Sequence, residues 1–71
     1  MDFVLAHRRD EVTAIECKWD PGAFDSSALK LFRNFYPKGS NFLVTPSGDP
    51  AYTKHYGKLA VRICTPTELH P

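Results

Sequence analysis

The stretch FVLAHRRDEVTAIECKW, Phe3 to Trp19, decides the fold of this chain. Two apolar runs, Phe3–Ala6 and about Val12–Trp19, flank a polar cluster, the pattern of a β-hairpin. A three-residue turn of Arg8, Arg9 and Asp10 makes every cross-strand pair sum to 18, so Phe3 faces Ile15, Val4 faces Ala14 and Asp2 faces Glu16. A two-residue turn would shift the register by one and send Asp2 to the opposite face from Glu16. Consecutive arginines suit poorly a turn that needs positive φ twice. The three-residue register also matches apolar with apolar on both faces, and it is the one expected.

Glu16 and Lys18 lie two apart and therefore share a strand face, with Val12 and Ala14 behind them. An E-x-K on a strand is ordinarily a solvated ion pair that contributes about 0–1 kcal/mol. Asp2 changes that reading, because two opposed carboxylates repel by some tenths of a kcal/mol or more. Lys18 offsets part of the charge and a divalent cation would offset the rest. Mg²⁺ prefers oxygen donors and takes one or two carboxylates plus waters. With a lysine alongside, such a centre can activate water and stabilise the charge that builds on a phosphodiester.

The turn Asp20-Pro21-Gly22 ends the hairpin, and a helix is expected over about 25–36. Asp25 or Ser26 is its N-cap, Ala28, Leu29, Phe32, Phe35 and Tyr36 form its apolar positions, and Pro37 closes it. Gly39 is a turn residue. Asn41 to Thr45 is short and nearly all apolar, as in a central strand, so strand, helix and strand form a right-handed βαβ unit with parallel pairing. A short helix is expected over about 50–56, with Asp49 as N-cap and Gly57 as its stop. Leu59 to Cys64 alternates and reads as a final edge strand. The fold class is α/β (α+β), a four-stranded mixed sheet with one main and one short helix. One crossover helix leaves the second sheet face uncovered, which favours pairing with a partner.

Asp2, thirteen residues and then Glu16-Cys17-Lys18 resemble the D-x(n)-(D/E)-x-K signature of the PD-(D/E)XK nuclease superfamily. More narrowly, DFVLAHRRDEVTAIECKW followed by FYPKGSNFLVTP is similar to the nuclease-like C-terminal domain that follows bacterial and archaeal AAA-type ATPase domains. The resemblance covers nearly the whole chain. It implies a restriction-endonuclease-like core and Mg²⁺- or Mn²⁺-dependent hydrolysis of DNA or RNA phosphodiesters. It also implies that Asp2 and Glu16 are metal ligands, that Cys17 lends its backbone carbonyl and that Lys18 is the catalytic lysine. Superfamily members carry a helix before the first motif strand, and none precedes Asp2. The expectation is therefore one small domain, 1–71, that is a fragment of such a nuclease-like domain. The alternative is a non-catalytic module for dimerisation or for regulating an attached or partner ATPase. No GxxxxGK[ST] phosphate loop is present.

A chain of 71 residues buries only about 60% of its unfolded surface, and a core of that size rarely supplies more than about 3–5 kcal/mol. Cys17 and Cys64 form no CxxC pair and read as reduced core thiols of a cytoplasmic protein. Nine basic against eight acidic residues give a net charge of +1, which is no global nucleic-acid footprint. Arg8, Arg9, Lys30, Arg33, Lys38, Lys54 and Lys58 are either a phosphate track or a solvated face. No apolar run approaches the roughly 20 residues of a membrane span, and MDFVLAHRRD is no signal peptide. His7, His55 and His70 lack metal-ligand spacing, Ser47 to Asp49 lacks a triad histidine, and Trp19 reads as core or interface.

Overall fold

A computed structural model of the chain describes residues 3–6, 9–46 and 50–69. Asp2, His7, Arg8, Ser47 to Asp49 and His70, which the sequence reading singled out, lie outside these. The first hairpin is β1 (Phe3–Ala6) and β2 (Val12–Cys17), antiparallel. Its pairs are Phe3 with Ile15, Val4 with Ala14, Leu5 with Thr13 and Ala6 with Val12, so each sums to 18.

Helix α1 (Ser27–Phe35) crosses from β2 to β3 (Asn41–Val44), which pairs parallel with β2. Its N-terminus divides the capping role between the two candidate residues. Ser26 occupies the N-cap position without a side-chain bond, and Asp25 Oδ1 accepts the amide of Ser27 at 2.9 Å. That bond holds the Asp25 carboxyl below its ordinary range. At the other end Tyr36 caps the helix through its N–H on the Phe32 carbonyl, and Pro37 prevents continuation. The buried stripe of α1 differs from the expected one: Leu29 and Arg33 are its buried residues and Phe32 packs beside them. Ala28 and Phe35 face outward, Phe35 being 73% exposed.

The expected helix over 50–56 is a strand, β4 (Tyr52–Tyr56), so the sheet has five strands rather than four. β4 turns through Gly57-Lys58 into β5 (Leu59–Cys64), with Tyr56 paired to Leu59. Gly57 has φ +65° and Lys58 no positive φ, the pattern of a II′ hairpin turn with glycine first. Local alternation of aromatic, β-branched and charged residues, Tyr-Thr-Lys-His-Tyr, outweighs the helix-start signal of a proline. The sheet order is β1-β2-β3-β5-β4. β5 is therefore an inner strand, parallel to β3, and not the edge strand expected.

One sheet face packs on α1. Its core is Ala14, Leu29, Leu43, Val61 and Ile63, closed by Phe24, Phe32, Tyr56 and Leu59, with Phe24 edge-on to Tyr56 at 5.0 Å between ring centres. On the other face Ile15, Val44 and Cys64 form a second cluster with Phe42 of β3 beside them and Ala51 and Leu69 packed against it. The C-terminal segment thus covers part of the face that the sequence reading left bare. A short 3-10 turn, Pro66–Glu68, delivers Leu69 there. Its capping box ties Glu68 Oε1 to the Thr65 amide (3.0 Å) and hydroxyl (2.9 Å), which holds the Glu68 carboxyl below its ordinary range.

The two cysteines differ from the common reading of both as core thiols: Cys64 is buried, Cys17 is exposed, and neither is in a disulfide. Burial pushes the Cys64 thiol above its ordinary range, with the Glu68 charge adding to the push and Arg62 opposing it. The folded state therefore holds the proton longer than the unfolded chain does. The stability this gives is fully present below the unfolded thiol value of about 8.5 and is lost as the pH rises toward the folded value. The melting temperature is expected to fall as the pH rises above about 8.5 for this reason, and Cys64→Ala to flatten that slope while lowering the whole curve. A slope unchanged in the variant would show that Cys64 is not the titrating group.

Candidate functional site

Glu16 sits at the penultimate position of β2, beside Leu43 of β3, which in turn neighbours Ile63 of β5. Because β2, β3 and β5 run parallel, this is the carboxyl end of the sheet's parallel core, where open α/β sheets place their ligands. Glu16 is 8% exposed and lies on the α1-covered face with Ala14. Its Oε2 lies 3.5 Å from Lys18 Nζ, and the lysine side chain is 38% exposed. One end of the pair is thus fixed in the core and the other reaches solvent.

The backbone around Lys18 is pinned on both sides. Its amide donates to the Val44 carbonyl at 2.9 Å, and the Trp19 carbonyl accepts the hydroxyl of buried Thr45 at 3.0 Å. Lys18 is therefore presented from a rigid backbone although β2 ends at Cys17. Cys17, Lys18 and Trp19 line a cavity of about 280 Å³ with Val44, Pro46 and Pro66. Trp19 is 88% exposed at its rim, which removes the core half of the core-or-interface reading.

Of the four residues singled out from the sequence, the structure brings Glu16 and Lys18 together, while the exposed Cys17 side chain lies on the opposite sheet face, beside Val44. Asp2 lies outside the described residues. The hairpin pairing, with every described pair summing to 18, is the register on which Asp2 was expected opposite Glu16. Among the described residues no group of three or more His, Cys, Asp or Glu side chains is placed to hold a metal ion. Of the residues singled out from the sequence, Glu16 is the described one that offers a hard carboxylate donor. That donor set fits Mg²⁺, which tolerates one or two carboxylates with water in the remaining positions, better than it fits zinc.

Sequence reading missed two features. Arg33 was grouped with cations read as a phosphate track or a solvated face, yet it is 6% exposed and donates to five oxygens. Its position in the Leu29, Phe32, Tyr36 stripe was the available signal. Arg62, on β5, was left out of the possible phosphate track, and it lines the groove described below. No helix among the described residues is long and apolar enough to cross a membrane. Compared with protein families, curated proteins and solved structures, the chain matches none.

Proposed function

We propose that this chain is a PD-(D/E)XK-type, restriction-endonuclease-like domain that hydrolyses nucleic-acid phosphodiesters with Mg²⁺ or Mn²⁺. The observation that carries the reading is the buried Glu16 carboxylate held 3.5 Å from a half-exposed Lys18 ammonium at the carboxyl end of parallel strands. A fold has little reason to bury a carboxylate there beside so weakly enclosed a partner, since an exposed ion pair alone contributes about 0–1 kcal/mol. The bound metal would supply an activated water and charge neutralisation at the phosphate. Glu16 and Asp2 would hold it, with the Cys17 carbonyl as a further oxygen. Lys18 faces solvent, so its ammonium meets the incoming phosphodiester, orients the attacking water and stabilises the developing negative charge.

Two variants separate these roles. Metal at about a hundred times its Kd stabilises the fold by about 2.7 kcal/mol, roughly 10 °C or more in melting temperature for so small a domain. Glu16→Gln is expected to abolish both that shift and the cleavage of labelled DNA or RNA. Lys18→Gln is expected to keep the shift and lose cleavage. Absence of both a metal-dependent shift and cleavage in the unaltered protein overturns the reading. The outcome would then favour a non-catalytic module for self-association or for regulating an ATPase, which the outward-facing Leu31 and Phe35 on α1, 60% and 73% exposed, support. In that case sedimentation should report a mass above the monomer, or binding to the ATPase.

A further inference from the structure

The charges of this chain are segregated. Residues 1–25 carry six acids and three bases, whereas residues 26–67 carry one acid and six bases. In the fold, the second group forms α1, β3, β4 and β5. The face of the sheet away from α1 is covered at its carboxyl end by Ala51 and Leu69, next to Ile15, Val44 and Cys64. At the amino end a groove of about 610 Å³ opens across the sheet edge, with Arg33 of α1 and Asn41 on one side and Phe42, Thr53 and Arg62, from the face away from α1, on the other. Phe42, Arg62 and Thr53 form a row of paired residues across β3, β5 and β4 that leads into it.

Three cations border this groove, Arg33, Lys58 and Arg62, and no acid lines it. The two ion pairs among the described residues, Lys18 with Glu16 and Lys38 with Asp10, involve none of the three. Arg33 spends its donors on neutral oxygens, so its charge is fixed at the groove without a carboxylate against it. Arg62 makes one long bond, 3.4 Å to the Thr53 hydroxyl, and keeps further N–H donors. Glu68 is an acid that senses Arg62, but its carboxylate is engaged by the Thr65 amide and hydroxyl. Lys58 is at the hairpin turn and exposed, and Ser40 also lines the groove.

We infer that this groove binds the phosphodiester backbone of a single-stranded nucleic acid, independently of metal. Lys58 and Arg62 are four residues apart, about 13 Å of extended chain, which exceeds the reach of one phosphate and fits a run of them. A planar guanidinium and a mobile ammonium are the two side chains best suited to phosphate oxygens, the first as a fork and the second as a point charge. The groove lies at the opposite end of the parallel strands from Glu16 and Lys18, so a strand held there is anchored apart from the proposed cleavage centre. Only the identity of the polyanion rests on the nuclease reading; the groove and its charge do not.

The test is anisotropy of labelled single-stranded DNA and RNA oligonucleotides in EDTA over a range of salt. Binding should weaken linearly in log–log form, and the Lys58→Gln/Arg62→Gln double variant should lose about 0.7 of slope per charge removed and about tenfold in affinity at low salt. Both side chains are exposed, so the variant's thermal melt should match the unaltered protein. No binding, an unchanged slope in the double variant, or binding to phosphatidylserine vesicles without binding to the oligonucleotides overturns the inference. Salt-sensitive binding in a protein that shows neither metal shift nor cleavage would leave the groove standing and remove the nuclease reading, and the reverse result would do the opposite.

Discussion

Arg33→Met is expected to leave the domain largely unfolded at room temperature, with a loss on the order of 3–5 kcal/mol in urea denaturation. The guanidinium is 6% exposed and is bonded through Nε to Asn41 Oδ1, through one terminal nitrogen to the Tyr36 and Lys38 carbonyls, and through the other to the Val12 and Ser40 carbonyls. These bonds run from 2.8 to 3.0 Å and reach the C-terminal end of α1, the link to β3, β3 itself and the first residue of β2. One side chain therefore fastens the whole βαβ crossover. Burial pulls its pKa down, yet five oriented oxygens take the place of water around the charge. Methionine fills similar space and offers none of the donors. The Lys38 and Ser40 carbonyls would retain their bonds from the Val12 and Ala14 amides, whereas Asn41 would keep only its own bond to the Ala60 carbonyl. The loss is comparable with what the entire core of so short a chain supplies.

Arg33→Lys separates charge from shape. It keeps the positive charge, but three donors on one atom cannot span oxygens arranged around a planar fork. It should therefore recover less than half of the stability that Arg33→Met removes. Recovery to within about 0.5 kcal/mol of the original protein would mean that charge and not the fork holds the crossover, and Arg33→Met melting like the parent would remove the role altogether.

Arg33 also shows where sequence reasoning stops. The hairpin register, the parallel crossover and the covered stripe at Leu29 and Phe32 were legible because each is set by local pattern: alternation, helical spacing and turn chemistry. Their partners follow from geometry that period and spacing encode. An arginine in an apolar stripe carries no such code, since its oxygens come from residues up to 21 positions away. The stripe was completed with Phe35 instead, which the helix turns outward. The segment Tyr52 to Tyr56 failed for another reason, a contest between two local signals. Proline after a capping residue suggests a helix start, but five residues of strand-forming alternation followed by Gly-Lys make a hairpin with β5. At the site, Glu16 and Lys18 were found by spacing alone, while the exposure of Trp19 and the groove at Arg62 depend on what the C-terminal segment covers.

Gly39→Ala is expected to destabilise the domain by about 3 kcal/mol or more, for a reason that no sequence pattern displays. Gly39 has φ +133°, which side-chain-bearing residues rarely adopt, and a Cβ there would run into the backbone carbonyl of Val12. The segment cannot move aside cheaply. The Lys38 carbonyl accepts from the Val12 amide and the Ser40 carbonyl from the Ala14 amide, both at 2.9 Å, so the link from α1 lies flat along β2 before β3 begins. Lifting it would break these two bonds and three of the bonds made by Arg33, those to Val12, Lys38 and Ser40. Gly57→Ala is the control, since Gly57 has φ +65° but its nearest contact would be the Lys30 side chain at 3.8 Å. It should cost only the backbone term, about 1 kcal/mol. Equal losses in the two variants would contradict the close approach at Val12. Because Gly39 and Arg33 hold the same link, the Gly39→Ala/Arg33→Lys double variant should lose less than the sum of the single losses. Full additivity would mean that the fork and the close approach secure different parts of the crossover.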